Sequence, residues 1–154
     1  MIRSLHFRLA TQEDLVGIVE MLADDPLGSL RESKRPYLSD VYAEAFRRIR
    51  QDKQQELTVA EQDGKLVATF QLSFIQYLTY QGGIRAQLEA VRVGRRYRGQ
   101  GIGRAIVQYA LERAKKRRAH LLQLTTDKKR PEAIKFYESL GFRATHEGMK
   151  LPIE

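Results

Sequence analysis

The chain has 154 residues, the usual size of one domain, and contains no cysteine. Disulfides, thiolate zinc sites and a catalytic thiol are therefore excluded. The formal net charge of +8 favours a polyanionic partner, either nucleic acid or a phosphate-rich cofactor.

The apolar runs of the sequence are far shorter than a membrane span requires, and residues 1–6 lack the apolar core of a signal peptide. We therefore expect a soluble cytoplasmic protein without a membrane partner, folded as a single domain over residues 1–154.

The first third of the chain predicts one strand and two helices. Residues 5–9 form the predicted strand, and Thr11 is a typical N-cap for the helix that follows and ends before Pro26. Residues 26–36 are predicted to be a loop, after which Ser39 begins the second helix. The apolar positions of the two helices recur at helical spacing: Leu15, Ile18, Val19 and Leu22, then Val41, Ala45, Phe46 and Ile49.

A β-hairpin is predicted next, because Asp63-Gly64 is a strong turn signal between two strand patterns. The second strand alternates apolar and polar residues from Ala68 to Phe74, which is typical of a half-buried antiparallel strand. Gly82-Gly83 marks a further turn, and residues 86–93 form the next predicted strand.

The remaining elements alternate between helix and strand. A long helix is predicted from Ile102 and a strand over residues 121–125, followed by a short helix with Pro131 at its first position and Gly141 after its end. One or two strands are predicted from Phe142 onward. This order predicts an α/β or α+β domain with a mixed sheet and helices packed on it.

A glycine-rich loop connects the strand over residues 86–93 to the long helix. Its sequence is Arg98-Gly99-Gln100-Gly101-Ile102-Gly103. Unpaired N–H groups at a helix start, approached without a Cβ, suit a phosphate. The spacing is not that of a dinucleotide-binding fingerprint, since Arg104 stands where glycine or alanine is needed, nor that of a P-loop. A plain strand-to-helix turn is the alternative.

The same six residues resemble the pyrophosphate-binding signature of the GNAT acetyltransferases, Arg/Gln-x-x-Gly-x-Gly/Ala. Residues 88–93 resemble the central strand of that family, and residues 130–142 resemble its final helix and turn. Two linked motifs carry more weight than one. The resemblance implies a mainly antiparallel sheet, splayed at an acyl-coenzyme A site and flanked by helices.

The resemblance also implies which residues bind acetyl-coenzyme A. Backbone groups of the central strand would bind the pantetheine arm and the thioester carbonyl, and the glycine-rich loop would bind the pyrophosphate. The residues so implied are Val91, Arg92, Val93, Arg98, Gly99, Gln100, Gly101, Ile102, Gly103 and Arg104. Many family members carry an asparagine that contacts the cofactor at the position of Arg130. This contact is therefore not expected of Arg130.

Two residues are candidates for proton transfer to and from the reacting groups. Glu89 is a carboxylate in an otherwise apolar run, where it is costly without a purpose or partner. It matches the position of a catalytic glutamate in some family members. The alternatives are a carboxylate on an open sheet face and a partner for a nearby arginine. Tyr137 matches the family tyrosine that faces the coenzyme sulfur; a core tyrosine is its alternative.

The resulting hypothesis is transfer of an acetyl group from acetyl-coenzyme A directly to a primary amine of a small molecule or peptide. The alternatives are a basic nucleic-acid-binding regulatory protein and an acyl-coenzyme A-binding module without turnover. No nucleic-acid-binding motif is present, so that partner is not expected. The three histidines lack metal-ligand spacing, so no metal is expected. Family members often form dimers, which makes the C-terminal strands a candidate homodimer interface.

Overall fold

The computed structural model of the chain describes residues 4–32 and 39–154. The chain divides into two compact units, Met1–Gln123 and Leu124–Glu154. These are called the N-terminal and C-terminal units below, and each is described by itself.

A five-stranded sheet in the order β1-β2-β3-β4-β5 organises the N-terminal unit. The first three pairings are antiparallel and the last is parallel. The sheet is therefore mixed and mainly antiparallel, as the sequence predicted. The strands are β1 (His6–Leu9), β2 (Gln55–Gln62), β3 (Lys65–Gln76), β4 (Ile84–Val93) and β5 (Leu121–Gln123).

The hairpin of β2 and β3 forms where the sequence predicted it. Asp63 and Gly64 both have positive φ at the turn, as the tight hairpin connection requires. The burial of β3 differs from simple alternation, because Thr69 is as deeply buried as Phe70. The Thr69 hydroxyl donates to the Thr58 carbonyl at 3.1 Å, which satisfies this polar group inside the core.

Helices pack against both the strands and each other in the N-terminal unit, and a short 3₁₀ turn at Gln12–Asp14 precedes the first of them. Thr11 begins this turn, and the Asp14 carboxylate accepts from the Thr11 N–H at 2.7 Å. The helices are α1 (Leu15–Ala23), α2 (Gly28–Arg31), α3 (Asp40–Gln51) and α5 (Ile102–Lys116). The segment α4 (Thr79–Gly82) is a turn, since Tyr80 and Gln81 have left-handed φ values of +55° and +57°.

Two predictions for the region between α1 and β2 need correction. The predicted loop over residues 26–36 contains the short helix α2, and residues 33–38 lie outside the described residues. The predicted apolar face of α3 is only partly buried. Phe46 joins the core, whereas Ala45 and Val41 are exposed, because the contacts of α3 with β2 cover one narrow stripe of the helix.

The crossover from β4 through α5 to β5 is the part of the sheet that matters for a ligand. β5 pairs with β4 only over Arg85–Gln87, although β4 continues to Val93. Within the described part of the N-terminal unit, the rest of β4 has no strand paired on that side, which is where the family resemblance implies a splay. Ile102, Ile106 and Ala110 anchor α5 in the core.

The C-terminal unit contains one helix, α6 (Pro131–Ser139). Pro131 occupies its first turn, and Gly141 after its end has φ of +96°, both as predicted. The strands predicted from Phe142 onward are wrong for this structure, since no strand is assigned in the described residues 124–154. An alternating pattern is not sufficient for a strand, because a strand also requires a neighbouring backbone to complete its hydrogen bonds.

Candidate functional site

A β-bulge interrupts β4 at the edge of the splay. Thr69 pairs with Arg92 and Gln71 with Glu89, so Ala90 and Val91 together oppose the single residue Phe70. Ala90 has a φ of +53°, which costs energy for any residue with a Cβ. Bulges leave backbone groups outside the ladder and redirect side chains, so this one suits a ligand.

The glycine-rich loop follows β4 and ends at the first turn of α5. Gly99 and Gly101 have φ values of +73° and +83°, and Gly101 is the N-cap of α5. A Cβ built at Gly99 meets no heavy atom within 4 Å, so the backbone is open on that side. The first turn of α5 has N–H groups without a partner inside the helix and carries the positive end of the helix dipole.

Exposure increases along the three residues that begin α5, which are Ile102, Gly103 and Arg104. The Ile102 side chain is buried in the core, so only its backbone faces the loop. Gly103 lies half-buried in the first turn of α5, and Arg104 is exposed on its surface. The Gln100 side chain donates to the Arg96 carbonyl at 3.1 Å and so stabilises the turn.

Three arginines near the loop already have partners in the protein. Arg98 donates through Nε to the Val93 carbonyl at 3.0 Å and through Nη2 to the Asp24 carbonyl at 3.3 Å. Arg95 Nη2 lies 2.6 Å from Asp24 Oδ1. Arg92 Nε lies 3.0 Å from Asp25 Oδ2, and Arg92 Nη1 donates to the Val91 carbonyl at 2.9 Å.

The acidic pair that holds these arginines was not recognised from the sequence. Asp24 and Asp25 follow the C-terminus of α1, where the helix dipole disfavours negative charge. Acidic residues at this end of a helix are the feature of the sequence from which a cationic partner could have been predicted. Asp25 also accepts the N–H groups of Leu27 and Gly28, at 2.9 and 2.6 Å, and thereby joins the corner before α2 to β4.

The structure changes the argument for Glu89. Its side chain is exposed beside the bulge and accepts from the Gln87 amide at 3.0 Å. The sequence pattern indicated that Glu89 would be costly because it lies in an apolar run. Since the side chain is exposed, that cost is no argument for a function. The bulge at Ala90 and Val91 follows Glu89 directly in β4.

Tyr137 lies on α6 in the C-terminal unit. Its ring is half-buried and makes edge contacts with Phe136 and Phe142, with centroids 5.1 and 5.6 Å away. Its carbonyl accepts the N–H of Phe142 at 3.1 Å and of Leu140 at 3.0 Å, which closes the helix. Arg130, at the N-cap of this helix, donates its N–H to the Asp127 carbonyl.

Residues 4–32 and 39–154 lack the features of two further classes of site, a metal centre and a membrane span. That part of the chain holds no group of three or more histidine or acidic side chains arranged to bind a metal ion. None of its helices has the length and apolar character needed to cross a bilayer.

Solved structures with similar folds cover nearly the whole chain. The crystal structure of a transcriptional regulator from Bacillus halodurans C-125 is 50% identical, with a TM-score of 0.94, over 97% of this chain and 100% of that chain. A predicted acetyltransferase with acetyl-CoA from Clostridium acetobutylicum is 20% identical over 97% of this chain and 96% of that chain, with a TM-score of 0.75. The latter likeness concerns the fold alone.

Curated relatives match smaller parts of the chain. The glucosamine 6-phosphate N-acetyltransferase of Trypanosoma brucei brucei is 30% identical over 90 residues, which are 58% of this chain. The matched segments span 25% and 59% of the lengths of two curated relatives. Residues 15–142, most of the chain, match the Acetyltransferase (GNAT) family. This match, together with the β4 bulge and the glycine-rich loop, shows that the chain belongs to the GNAT acetyltransferase family.

Proposed function

We propose that the protein transfers an acetyl group from acetyl-coenzyme A directly to a primary amine of a small molecule or peptide, with both substrates bound together. The observation that carries this proposal is the glycine-rich loop, in which two left-handed glycines open the first turn of α5 directly after the bulged strand β4. Family membership supports acetyl transfer in general.

The loop fits the diphosphate of coenzyme A chemically. Backbone N–H groups at the start of α5 supply donors, and the exposed Arg96 and Arg104 near this loop in sequence add positive charge, whereas Arg95 and Arg98 contact Asp24. In this proposal the backbone of Val91, Arg92 and Val93 binds the pantetheine arm. A backbone N–H near the bulge stabilises the negative oxygen that develops on the thioester carbonyl.

Glu89 is the proposed base. An alkyl amine has a pKa around 10, so it must lose a proton before it attacks. The exposed Glu89 carboxylate lies beside the bulge and accepts this proton directly or through water. The amine nitrogen then bonds to the acetyl carbon, the carbon–sulfur bond breaks, and the coenzyme leaves as its thiolate.

Tyr137 is the proposed acid. A phenol is protonated at neutral pH and can donate to the departing thiolate, which balances the proton that Glu89 accepts. Its ring is held by Phe136 and Phe142 at the C-terminal end of α6, which limits the orientations of the hydroxyl.

Calorimetric titration with acetyl-coenzyme A tests the cofactor site. Gly101→Glu places a side chain and a negative charge at a φ of +83° in the loop. Gly64→Glu is the matched control, since it puts the same side chain at a φ of +72° in the β2–β3 turn. Binding that is lost only in Gly101→Glu supports the proposal. No binding by the native protein overturns it.

Steady-state kinetics on a panel of amines tests the two proton-transfer roles. Glu89→Gln and Tyr137→Phe should each lower kcat by about 10²-fold or more, with a smaller effect on the KM for acetyl-coenzyme A. Binding of acetyl-coenzyme A without turnover of any amine would instead indicate an acyl-coenzyme A-binding module.

A second candidate function is transcriptional regulation through nucleic acid. The 50% identical Bacillus halodurans protein is described as a transcriptional regulator. This chain also carries two basic clusters, at residues 95–98 and 115–118. Binding to duplex DNA that weakens steeply with salt would support this function. The cytoplasmic location remains a prediction that fits either function.

A further inference from the structure

One face of the sheet in the N-terminal unit carries a line of polar side chains. Arg85, Gln87 and Glu89 alternate along β4, so they project from the same face of the strand. Leu88, which lies between two of them, is buried in the core on the other face. Gln123 on β5 is the register partner of Gln87 and therefore shares the polar face. The line thus crosses from β4 to β5 and ends at the proposed base.

These four side chains form one continuous series of hydrogen bonds. Arg85 Nη1 donates to Gln123 Oε1 at 3.4 Å, and Gln123 Nε2 donates to Gln87 Oε1 at 2.6 Å. Gln87 Nε2 then donates to Glu89 Oε1 at 3.0 Å. The series therefore has a cation at one end, a carboxylate at the other and two neutral amides between them.

Arg85 differs from the other partly buried arginines of the N-terminal unit. Within residues 4–32 and 39–123, each of those contacts a carboxylate: Arg8, Arg92, Arg113 and Arg117. No carboxylate of the described chain pairs with Arg85, and its Nε is buried without a hydrogen-bond partner. A guanidinium has five N–H donors, and a partly buried charge is costly without a partner. The charge and donors of Arg85 therefore call for an anion from outside the protein.

Two aromatic rings hold this guanidinium in place. Its Cζ lies 4.7 Å from the ring centroid of Tyr77 and 5.4 Å from that of Tyr80, and Tyr80 in turn stacks on His120 with centroids 4.8 Å apart. Tyr80 has a φ of +55°, a conformation that costs energy for a residue with a Cβ. Strain of this kind is often found at ligand sites. The rings fix the position of the cation but supply no negative charge.

We infer that the acceptor amine carries an anionic oxygen group, a carboxylate or a phosphate, which Arg85 binds while the amine lies at Glu89. The inference rests on the proposed function, because it uses Glu89 as the base for the amine. A molecule with an amine at one end and an anion at the other has charges complementary to the two ends of the polar line. The two glutamines offer hydrogen bonds to polar groups between those ends.

The strand sets the length of such an acceptor. Arg85 and Glu89 lie four residues apart in a stretch of β4 without a register shift, so their Cα atoms are about 13 Å apart at the usual rise of a strand. An extended peptide of about three or four residues spans the same distance. The geometry thus favours a short acidic peptide, or an amine of similar length that ends in a phosphate or a carboxylate.

Steady-state kinetics on matched acceptors tests the inference. Glycine peptides of increasing length, each with a free C-terminal carboxylate or as the C-terminal amide, present the same amine with and without the anion. The native protein should prefer the carboxylate by about 10- to 100-fold in kcat/KM at the best length, the effect of charge-assisted hydrogen bonds. Amino alcohols and their phosphate monoesters form a second series, which distinguishes phosphate from carboxylate.

Substitutions at Arg85 assign the preference to this side chain. Arg85→Gln should abolish it through a higher KM for the anionic acceptors, with the KM for the amides and for acetyl-coenzyme A unchanged. Arg85→Lys should keep part of the preference, because it retains the charge but not the planar set of donors. Arg85→Glu should favour the amides. Arg50→Gln, at an exposed position of α3, is the matched control and should behave like the native protein.

Calorimetric titration with the same peptides in the presence of coenzyme A gives a readout that needs no turnover. Tighter binding of the carboxylates without acetylation of any amine would support Arg85 as the anion site and contradict the proposed function. Equal turnover of carboxylates and amides would overturn the inference and retain that function. So would a preference that persists in Arg85→Gln. Circular dichroism establishes that each variant is folded; if Arg85→Gln unfolds, Arg85→Lys and the preference of the native protein decide.

Discussion

Arg92 on β4 and Asp25 at the corner after α1 form an ion pair in which Nε and Oδ2 lie 3.0 Å apart, with side chains only 12% and 16% exposed. Asp25 also caps the start of α2, and Arg92 also holds the Val91 carbonyl beside the bulge. One contact thus fixes the corner before α2 against the strand proposed to bind the acetyl group.

Asp25→Asn should therefore destabilise the protein by about 3 kcal/mol, because it leaves the Arg92 guanidinium nearly buried without its counter-charge. Asp24→Asn is the neighbouring control. Asp24 pairs with Arg95, whose side chain is 76% exposed, so its loss should cost less than about 1 kcal/mol. Urea denaturation of both variants measures the difference, and equal losses would contradict this account.

The positive φ of Ala90 predicts an unusual response to glycine. Ala90→Gly should leave stability unchanged or raise it by about 0.5–1 kcal/mol, because glycine removes the cost of a Cβ at φ of +53°. Ala90→Val should destabilise, since a β-branched side chain worsens the same strain. Ala86→Gly, in a buried position of the same strand, should cost about 1 kcal/mol or more. Thermal unfolding of the three variants gives the ranking, and destabilisation by Ala90→Gly would be inconsistent with the bulge.

The contact between Arg8 and Asp14 indicates how the free energy of unfolding should depend on pH in the acid range. Arg8 donates to Asp14 Oδ2 at 2.7 Å, and together with the Thr11 N–H it holds the pKa of Asp14 below its ordinary value of 3.8, against the opposing effect of burial. A lowered pKa means that the stabilisation is complete above about pH 4 and is lost as the pH falls through the pKa of the folded state.

Asp14→Asn should thus lower the free energy of unfolding at pH 6 by about 1–2 kcal/mol, with a difference from the native protein that shrinks towards pH 2. Glu20→Gln, at an exposed position of α1, should leave the acid dependence as it is in the native protein. Denaturant titrations across this pH range compare the three proteins; a constant difference for Asp14→Asn would rule out the linkage.

Glu56 and Glu44 each accept hydrogen bonds from two arginines. Only the contacts of Glu56 should contribute measurably to the free energy of unfolding. Glu56 on β2 is buried and accepts from Arg113 Nε at 3.1 Å, which raises the pKa of Arg113. Glu44 on α3 is exposed; Arg47 and Arg48 lower its pKa to about 2, yet solvent screens that pair.

Glu56→Gln should destabilise by about 2 kcal/mol, less than for a fully buried pair because the Arg113 side chain is 28% exposed. Glu44→Gln should produce no measurable change. Chemical denaturation at low and high salt distinguishes the two positions, since only a partly buried pair persists when salt screens the surface. Equal effects of the two substitutions would contradict the burial argument.

Local patterns in the sequence were sufficient for most of the N-terminal unit. The β2–β3 hairpin followed from alternation around Asp63-Gly64, and α5 followed from apolar spacing after Gly101. Thr11 begins the 3₁₀ turn that leads into α1, close to the predicted helix start. In each case the residues that specify the element lie within a few positions of one another, so the sequence carries the whole signal.

The sequence by itself determined the order of the five strands and of α1, α3, α5 and α6, the glycine-rich loop and, through its motifs, the family. Only the tertiary structure decided the bulge at Ala90, the exposure of Glu89 and the partners of Asp24 and Asp25, because these depend on strand register and on contacts between residues distant in the chain. The strands predicted from Phe142 onward are not assigned in residues 124–154, because a strand forms only when a second backbone completes its hydrogen bonds, which a sequence pattern does not supply.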